Sequence, residues 1–386
     1  MIPYGRQDIV QADIDAVTQV LTSDFLTQGP CVPRFEKAIA NYVGASHAIA
    51  VNSATSALHI ACLALDLGPG DVLWTVPTTF VASANCALYC GADVAFVDID
   101  PATYNMCSKM LAKKLETAKV AGTLPKVVVP VALCGQSCDL AAIRKLADIY
   151  GFAILEDASH AVGGTYEGKP IGDGRYADIT VFSFHPVKII TTAEGGMALT
   201  NSAELAVRMD LYRSHGITRD PALMTHSPEG PWYYQQVALG YNYRMTELQA
   251  ALGLSQLERL DTYVAKRVAF AARYDRLLDG LPLRCPQQYS NTGSAWHLYV
   301  INLDLPQINK THKEVFEALR AAGVGVNLHY IPVHMQPYYR DRGFNPGDFP
   351  AAETYYAQAI SLPVYPTMTE ADQDYIVQAL RDILGL

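Results

Sequence analysis

The chain has 386 residues, half of them apolar, with 29 basic against 38 acidic side chains and a formal charge of −9. That length exceeds a single ordinary core and predicts one large domain with a smaller second one. The acidic balance, with no basic run, disfavours nucleic acid and anionic membranes as partners, so an anionic small substrate would need local positive groups. Eight cysteines are scattered through apparently regular segments with two C-x-x-x-C spacings and no C-x-x-C pair, which suggests neither zinc nor disulfides. They read as reduced, mostly buried thiols, and no metal site is expected. MIPYGRQDIV at the start has no cationic stretch leading into an apolar core, and the longest apolar segments are interrupted by Asn, Ser, His or Asp. Secretion and membrane spanning are therefore disfavoured, and a cytoplasmic protein is the expectation.

In chain order, strand-length apolar runs alternate with segments of helical period. HAIAVNS (47–53) precedes SALHIACLALDLG, VLWTVP precedes FVASANCALYCG, ADVAFVDID precedes a helix over 109–119, and KVVVPVAL precedes LAAIRKLADIYG. FAILEDASHA, DITVFSF and GGMALTN continue the rhythm of an α/β fold with a largely parallel sheet covered on both faces. A loop over 217–243, rich in Pro, Gly and Tyr, has no period, and such length is usually functional or interfacial. A capping box at Thr246 and Gln249 predicts a long helix to about residue 278. The division expected is a large domain over 1–245 and, over 246–386, a linking helix with a smaller α/β unit. In that unit WHLYVINLD reads as strand, THKEVFEALRAAG as a helix with its own Thr311/Glu314 box, VGVNLHYIPV as strand, and a last helix starts near 369.

Three segments carry chemistry. In VNSATSALHIA (51–61) a strand ends in Asn-Ser-Ala-Thr-Ser and a helix begins, gathering free N–H groups and hydroxyls suited to phosphate, although from this segment alone an ordinary Ser N-cap is the better reading. In ILEDASHAVGG (154–164) a carboxylate, Asp157, projects from the carboxyl edge of a sheet where open α/β folds bind ligands, with His160 three residues on; a capping Asp and a satisfied His are the plainer alternative. FSFHPVKIITTAEGG (182–196) sets Lys188 among apolar residues, where it either snorkels to water or acts chemically. Together they supply an anion cradle, a carboxylate for a pyridine nitrogen and a lysine for a Schiff base, which are the needs of pyridoxal phosphate. Apolar surroundings then serve the lysine by lowering its pKa, and Gly195-Gly196 lets the chain turn tightly into the next strand.

FLTQGP (25–30), NSATSAL (52–58), EDASHA (156–161), FSFHPVK with its trailing EGG, RSHG (213–216) and GYNYRMTELQAALGLSQL (240–257) resemble the DegT/DnrJ/EryC1/StrS sugar aminotransferases across essentially the whole chain. The resemblance implies the fold type I, aspartate aminotransferase-like architecture of pyridoxal phosphate enzymes. It implies that Lys188 forms the Schiff base, Asp157 pairs with the pyridinium nitrogen and His160 lies by the 3-hydroxyl. Ala54 and Thr55 with Ser183 would hold the phosphate, Phe80 would stack on the ring, and Asn242 would reach a neighbouring subunit's cofactor in a homodimer with shared active sites. Tyr4, Asp24, Phe25, Leu26, Thr27, His185, His329 and Tyr330 are the candidates for sugar and diphosphate contacts, with plain surface residues the alternative for Tyr4 and Asp24 and a core histidine the alternative for His329. Arg213, His215 and Arg244 either supply positive field or brace the loop or interface. MIPYGRQDI, SDFLTQGP and HPVKIITTAEGG resemble the branch that uses L-glutamate to aminate UDP-2-acetamido-2,6-dideoxy-β-L-arabino-hex-4-ulose at C4. A branch acting on UDP-4-keto-arabinose is the alternative, and a non-catalytic binder keeping the fold is the competing class.

Overall fold

Seven of the apolar runs join one sheet in the computed structural model, which describes residues 1–386. They are β1 (His47–Val51), β2 (Val72–Thr75), β3 (Asp93–Phe96), β4 (Val127–Val128), β5 (Ala153–Asp157), β6 (Ile179–Ser183) and β7 (Gly196–Thr200), in spatial order β1-β7-β6-β5-β4-β2-β3. β2 to β6 pair in parallel, and only β7 runs against its neighbours, β1 and β6. The fold is thus α/β with a mixed, mostly parallel sheet. Side chains alternate between its faces, so Ile154, Phe182 and Met197 enter one hydrophobic cluster while Leu155, Val181 and Ala198 enter another. Near-continuous apolar strands are what a sheet buried on both faces requires.

Helices α1 (Gln11–Leu21) and α2 (Cys31–Val43) precede the sheet. Between strands run α3 (Ala54–Ala64), α4 (Ala82–Tyr89), α5 (Ser108–Ala121) and α6 (Leu140–Tyr150), and α7 (Ala203–Arg213) follows β7. Leu111 and Ile143 of α5 and α6 seal one face, and Leu58, Ala84 and Met209 of α3, α4 and α7 the other.

The Thr246/Gln249 capping box forms as read, but the long helix is two: α8 (Glu247–Leu257) and α9 (Leu260–Leu277). The break frees Arg259 to grip the buried Asp13 carboxylate of α1 at 2.6 and 2.8 Å, a contact no periodicity reveals. Glu247, 1% exposed, spans back to α2, where its carboxylate accepts the Cys31 and Val32 N–H groups at 2.6 and 3.3 Å. An anion at a helix N-terminus meets both unpaired donors and the helix dipole. Glu247→Ala, which would strand those donors, is expected to cost about 2–3 kcal/mol in urea unfolding. A loss below about 0.5 kcal/mol, the level of an ordinary surface change, would show that water substitutes for the carboxylate.

Beyond α9, β8 (Leu283–Arg284), β9 (Tyr299–Leu303) and β10 (Ala359–Leu362) form an antiparallel sheet. Tyr299, Ile301 and Ile360 share a third cluster with Tyr274 of α9, Val315 of α10 (His312–Ala321) and Ile376 of α11 (Glu370–Leu384). The Thr311/Glu314 box caps α10 as expected. VGVNLHYIPV is not a strand. Its backbone partners lie elsewhere: Val324 bridges to Ile2, Asn327 to Ser361, and the His329 carbonyl accepts the Tyr355 hydroxyl at 2.6 Å.

Candidate active site

β1 runs parallel to β2 through β6, so the turn after β1, the end of β5 and the end of β6 all open on one carboxyl edge. A cavity of about 620 Å³ lies there, within the range that holds small ligands and cofactors. Eleven of the proposed site residues line it: Tyr4, Ala54, Thr55, Phe80, Asp157, His160, Ser183, His185, Lys188, His329 and Tyr330.

Ser53 caps α3 by accepting the Ser56 N–H at 3.1 Å, and its carbonyl takes the Ala57 N–H. Helix geometry leaves the Ala54 and Thr55 N–H groups without intrahelical acceptors, and both residues face the cavity. The N-cap reading and the anion cradle therefore coexist. Gly196 allows this arrangement, since a Cβ there would come within 2.5 Å of the Ala54 nitrogen and the Ser53 carbonyl carbon. The Gly-Gly pair does not serve a left-handed turn; Ala193 is the residue with positive φ, 66°, and Gly196 is small because β7 passes against the start of α3.

Asp157, 5% exposed, accepts the Ser83 hydroxyl at 2.6 Å and the Ser159 N–H at 3.1 Å. Thr79 in turn lies 2.8 Å from the Ser83 hydroxyl. Lys188 stands in the excursion between β6 and β7, which is closed by Phe184 N–H to Gly195 O at 2.9 Å and Thr192 N–H to Phe184 O at 3.0 Å. Buried Ile189, Ile190, Thr191 and Thr192 anchor it. Burial pushes the Lys188 amine down to about 7, against the opposing pull of the Asp157 carboxylate.

Three buried histidines, His160, His297 and His329, surround the amine and stay neutral. Burial holds His160 and His297 well below the ordinary imidazole value, with Lys188 adding to the effect, and pushes His329 down to about 3. His329 Nδ1 lies 2.8 Å from the Ser361 hydroxyl, and its ring centroid is 5.3 Å from that of Tyr4. Phe80, more than half exposed, hangs over the opening with its ring 6.1 Å from Tyr330.

Asp24, Phe25, Leu26, Thr27 and Asn242 do not reach the cavity of this chain. The first four lie exposed beside the start of α8, where the Leu26 carbonyl accepts the Glu247 N–H at 3.0 Å. Asn242 bridges to Ser214, and its carbonyl is 3.5 Å from the Asn52 amide. Arg213 is taken up by Glu36, Asp210 and the Ala50 carbonyl, whereas Arg244 Nε is enclosed without a partner. Sequence reasoning missed Ser83, Ser159, Glu194, His297 and Asn327. The sequence says nothing of a bond between Ser83 and a carboxylate 74 residues away, and His297 looked like one more residue of a strand.

Free N–H donors, a partnered carboxylate and a lysine of lowered pKa converge on one cavity, so the residues present fit pyridoxal phosphate. The chain is 42% identical over 99% of its length to a spore coat polysaccharide biosynthesis protein of Bacillus subtilis, 97% of which is covered. It is 37% identical to the UDP-4-amino-4,6-dideoxy-N-acetyl-β-L-altrosamine transaminase of Campylobacter jejuni, with 100% and 98% of the two chains covered. The Helicobacter pylori aminotransferase involved in the biosynthesis of pseudoaminic acid superposes with a TM-score of 0.90 at 31% identity, over 100% of this chain and 99% of that one. A Streptococcus pneumoniae chain solved in its PLP form gives 0.88 at 28%, over 100% and 98%. With a sequence model of the family matching residues 7–381 as well, the chain belongs to the DegT/DnrJ/EryC1/StrS aminotransferase family.

Proposed function

We propose that this aminotransferase uses pyridoxal phosphate to move the amino group of L-glutamate to C4 of UDP-2-acetamido-2,6-dideoxy-β-L-arabino-hex-4-ulose. The product would be UDP-4-amino-4,6-dideoxy-N-acetyl-β-L-altrosamine. The observation carrying the chemistry is Lys188, an amine of pKa about 7 held in one cavity with the Asp157 carboxylate. The cofactor, when bound, supplies an aldehyde that takes up the amino group and a ring that withdraws electrons from the reacting carbon. Asp157, steadied by Ser83 and Ser159, is the group that holds a proton on the ring nitrogen. Ala54 and Thr55 N–H with Ser183, which line the same cavity, would hold the phosphate, and Phe80 would cover the ring. Lys188 Nζ, its pKa lowered by burial to about 7, accepts and returns a proton without leaving the cavity.

Substrate choice is supported by the 37% identity to the Campylobacter jejuni transaminase. Another nucleotide 4-keto sugar is a second reading, favoured by the 42% identity to the spore coat polysaccharide protein. Lys188 is the only Lys or Arg lining the cavity, against Asp157 and Glu194, so a diphosphate needs further cations. In the proposed homodimer a second copy brings Asn242 with its 217–243 loop, whose one cation of this kind is Arg219. The test is incubation with glutamate and two sugars, the N-acetylated 6-deoxy hexose and UDP-4-keto-arabinose, with mass and stereochemical analysis of products. Predominant amination of the hexose is expected; predominant pentose amination would reverse the assignment.

A further inference from the structure

Three segments remote in sequence meet behind the cavity: the turn Leu133–Gly135, the loop after β5, and His329-Tyr330. Cys134 adopts φ 62°, in the left-handed region, and its N–H donates to His160 Nδ1 at 3.3 Å. Its carbonyl accepts the Leu298 N–H at 3.4 Å, and the next carbonyl, of Gly135, accepts the Ala295 N–H at 3.1 Å. At Gly135 a Cβ would come within 2.8 Å of the Trp296 nitrogen and 3.0 Å of the His160 carbonyl. The turn is clamped on both sides, which is how a strained backbone persists at a working position.

A ring nitrogen that accepts a backbone N–H carries no proton. Neutral His160 therefore bears its single proton on Nε2. That nitrogen lies 3.2 Å from the Tyr330 hydroxyl, so the phenolic oxygen accepts and the Tyr330 proton is left to point elsewhere. Burial raises the Tyr330 pKa, so the hydroxyl keeps its proton. It makes no other hydrogen bond within the protein, and its near aromatic neighbour in the cavity wall is Phe80, which accepts none of comparable strength. Both Tyr330 and His160 line the cavity, but His160 has no ring nitrogen to spare.

We propose that Tyr330 is the hydrogen-bond donor to an acceptor oxygen of the ligand, and that His160 is a positioning residue acting through it. The chain Cys134 N–H to His160 to Tyr330 sets the direction of every proton in the relay. It revises the sequence-based expectation that His160 itself meets the cofactor's 3-hydroxyl. The ligand's identity rests on the aminotransferase reading; the relay does not. An acceptor oxygen could belong to the cofactor ring or to the sugar, and the two sources separate by experiment.

Nitrogen NMR of the ligand-free, 15N-histidine-labelled protein reads the tautomer directly, with the His160 signal assigned by its loss in His160→Gln. The Nε2–H form is expected, unchanged between about pH 6 and pH 9. An Nδ1–H tautomer or an imidazolium at pH 7 would overturn the relay, whatever the enzyme turns over. Glutamine reproduces the order, its carbonyl accepting from Cys134 N–H and its amide donating to Tyr330, so His160→Gln should stay within about threefold of native. His160→Leu and Tyr330→Phe should each lose about 10- to 100-fold, the effect of one hydrogen bond to a charged or strongly polar oxygen. If the oxygen is the cofactor's, Tyr330→Phe weakens pyridoxal phosphate binding to the ligand-free chain in equilibrium dialysis. If it is the sugar's, cofactor affinity and the glutamate half-reaction hold while kcat/KM for the sugar falls. Native values for both, or His160→Gln as damaged as His160→Leu, would refute the donor role. Should no sugar be aminated while the tautomer stands as described, the functional reading fails and the relay survives.

Discussion

Lys188→Ala is expected to reduce transamination by about 10⁴-fold or more while leaving far-UV circular dichroism unchanged, because in the proposed mechanism one amine both carries the cofactor and moves the proton. The loop that presents it is held by Phe184, Thr191 and Thr192 rather than by the lysine, so the scaffold should survive. Appreciable remaining turnover would remove Lys188 from the mechanism. The same position carries an opposite effect on stability. In the unfolded chain the amine keeps its proton up to its ordinary value of 10.5, and in the folded chain only to about 7. Between those values the unfolded state binds more protons, so burial of the amine destabilises the ligand-free protein fully below pH 7, and the penalty fades as the pH rises towards 10.5. Lys188→Met, which keeps the apolar stem, should therefore stabilise the ligand-free chain on the order of 2–4 kcal/mol at pH 7 and much less near pH 10. Urea midpoints at both pH values check this; a difference independent of pH would mean that the amine is not buried as charged.

Asp157→Asn is expected to lower kcat on the order of 10³-fold, the scale at which one preorganised charge contributes to a transition state. Asparagine can still accept the Ser159 N–H, and the Ser83 hydroxyl can turn to Thr79, so the packing should hold. What disappears is the negative charge that, in the proposed mechanism, keeps a ring nitrogen protonated. Activity within tenfold of native would show that the nitrogen is protonated by something else or not at all. Ser83→Ala should act in the same direction and more weakly, because Ser159 still partners the carboxylate.

Alternation between apolar strands and amphipathic segments predicted all seven strands of the main sheet, since each such strand must be apolar on both faces and each such helix on one. Capping boxes at Thr246 and Thr311 announced helix starts because that signal is complete within four residues. The irregular path at 324–333 escaped the same reasoning. Alternation there mimics a strand, while the partners that decide the backbone, Ile2, Ser361 and Tyr355, lie far away in sequence.

Within the cavity, Asp157 and the Ser53–Thr55 turn were legible because each stands at the end of an apolar strand, and Lys188 because it lies among apolar residues just beyond one, where a polar residue needs a reason. Local pattern determined which chemical groups this protein possesses and which of them sit on a carboxyl sheet edge. Only the tertiary structure decided their protonation and direction: Ser83 against Asp157, the apolar walls around Lys188, and the Cys134 N–H that orients His160. Those depend on desolvation and on angles between segments remote along the chain, and neither quantity is written in the order of residues within any single segment.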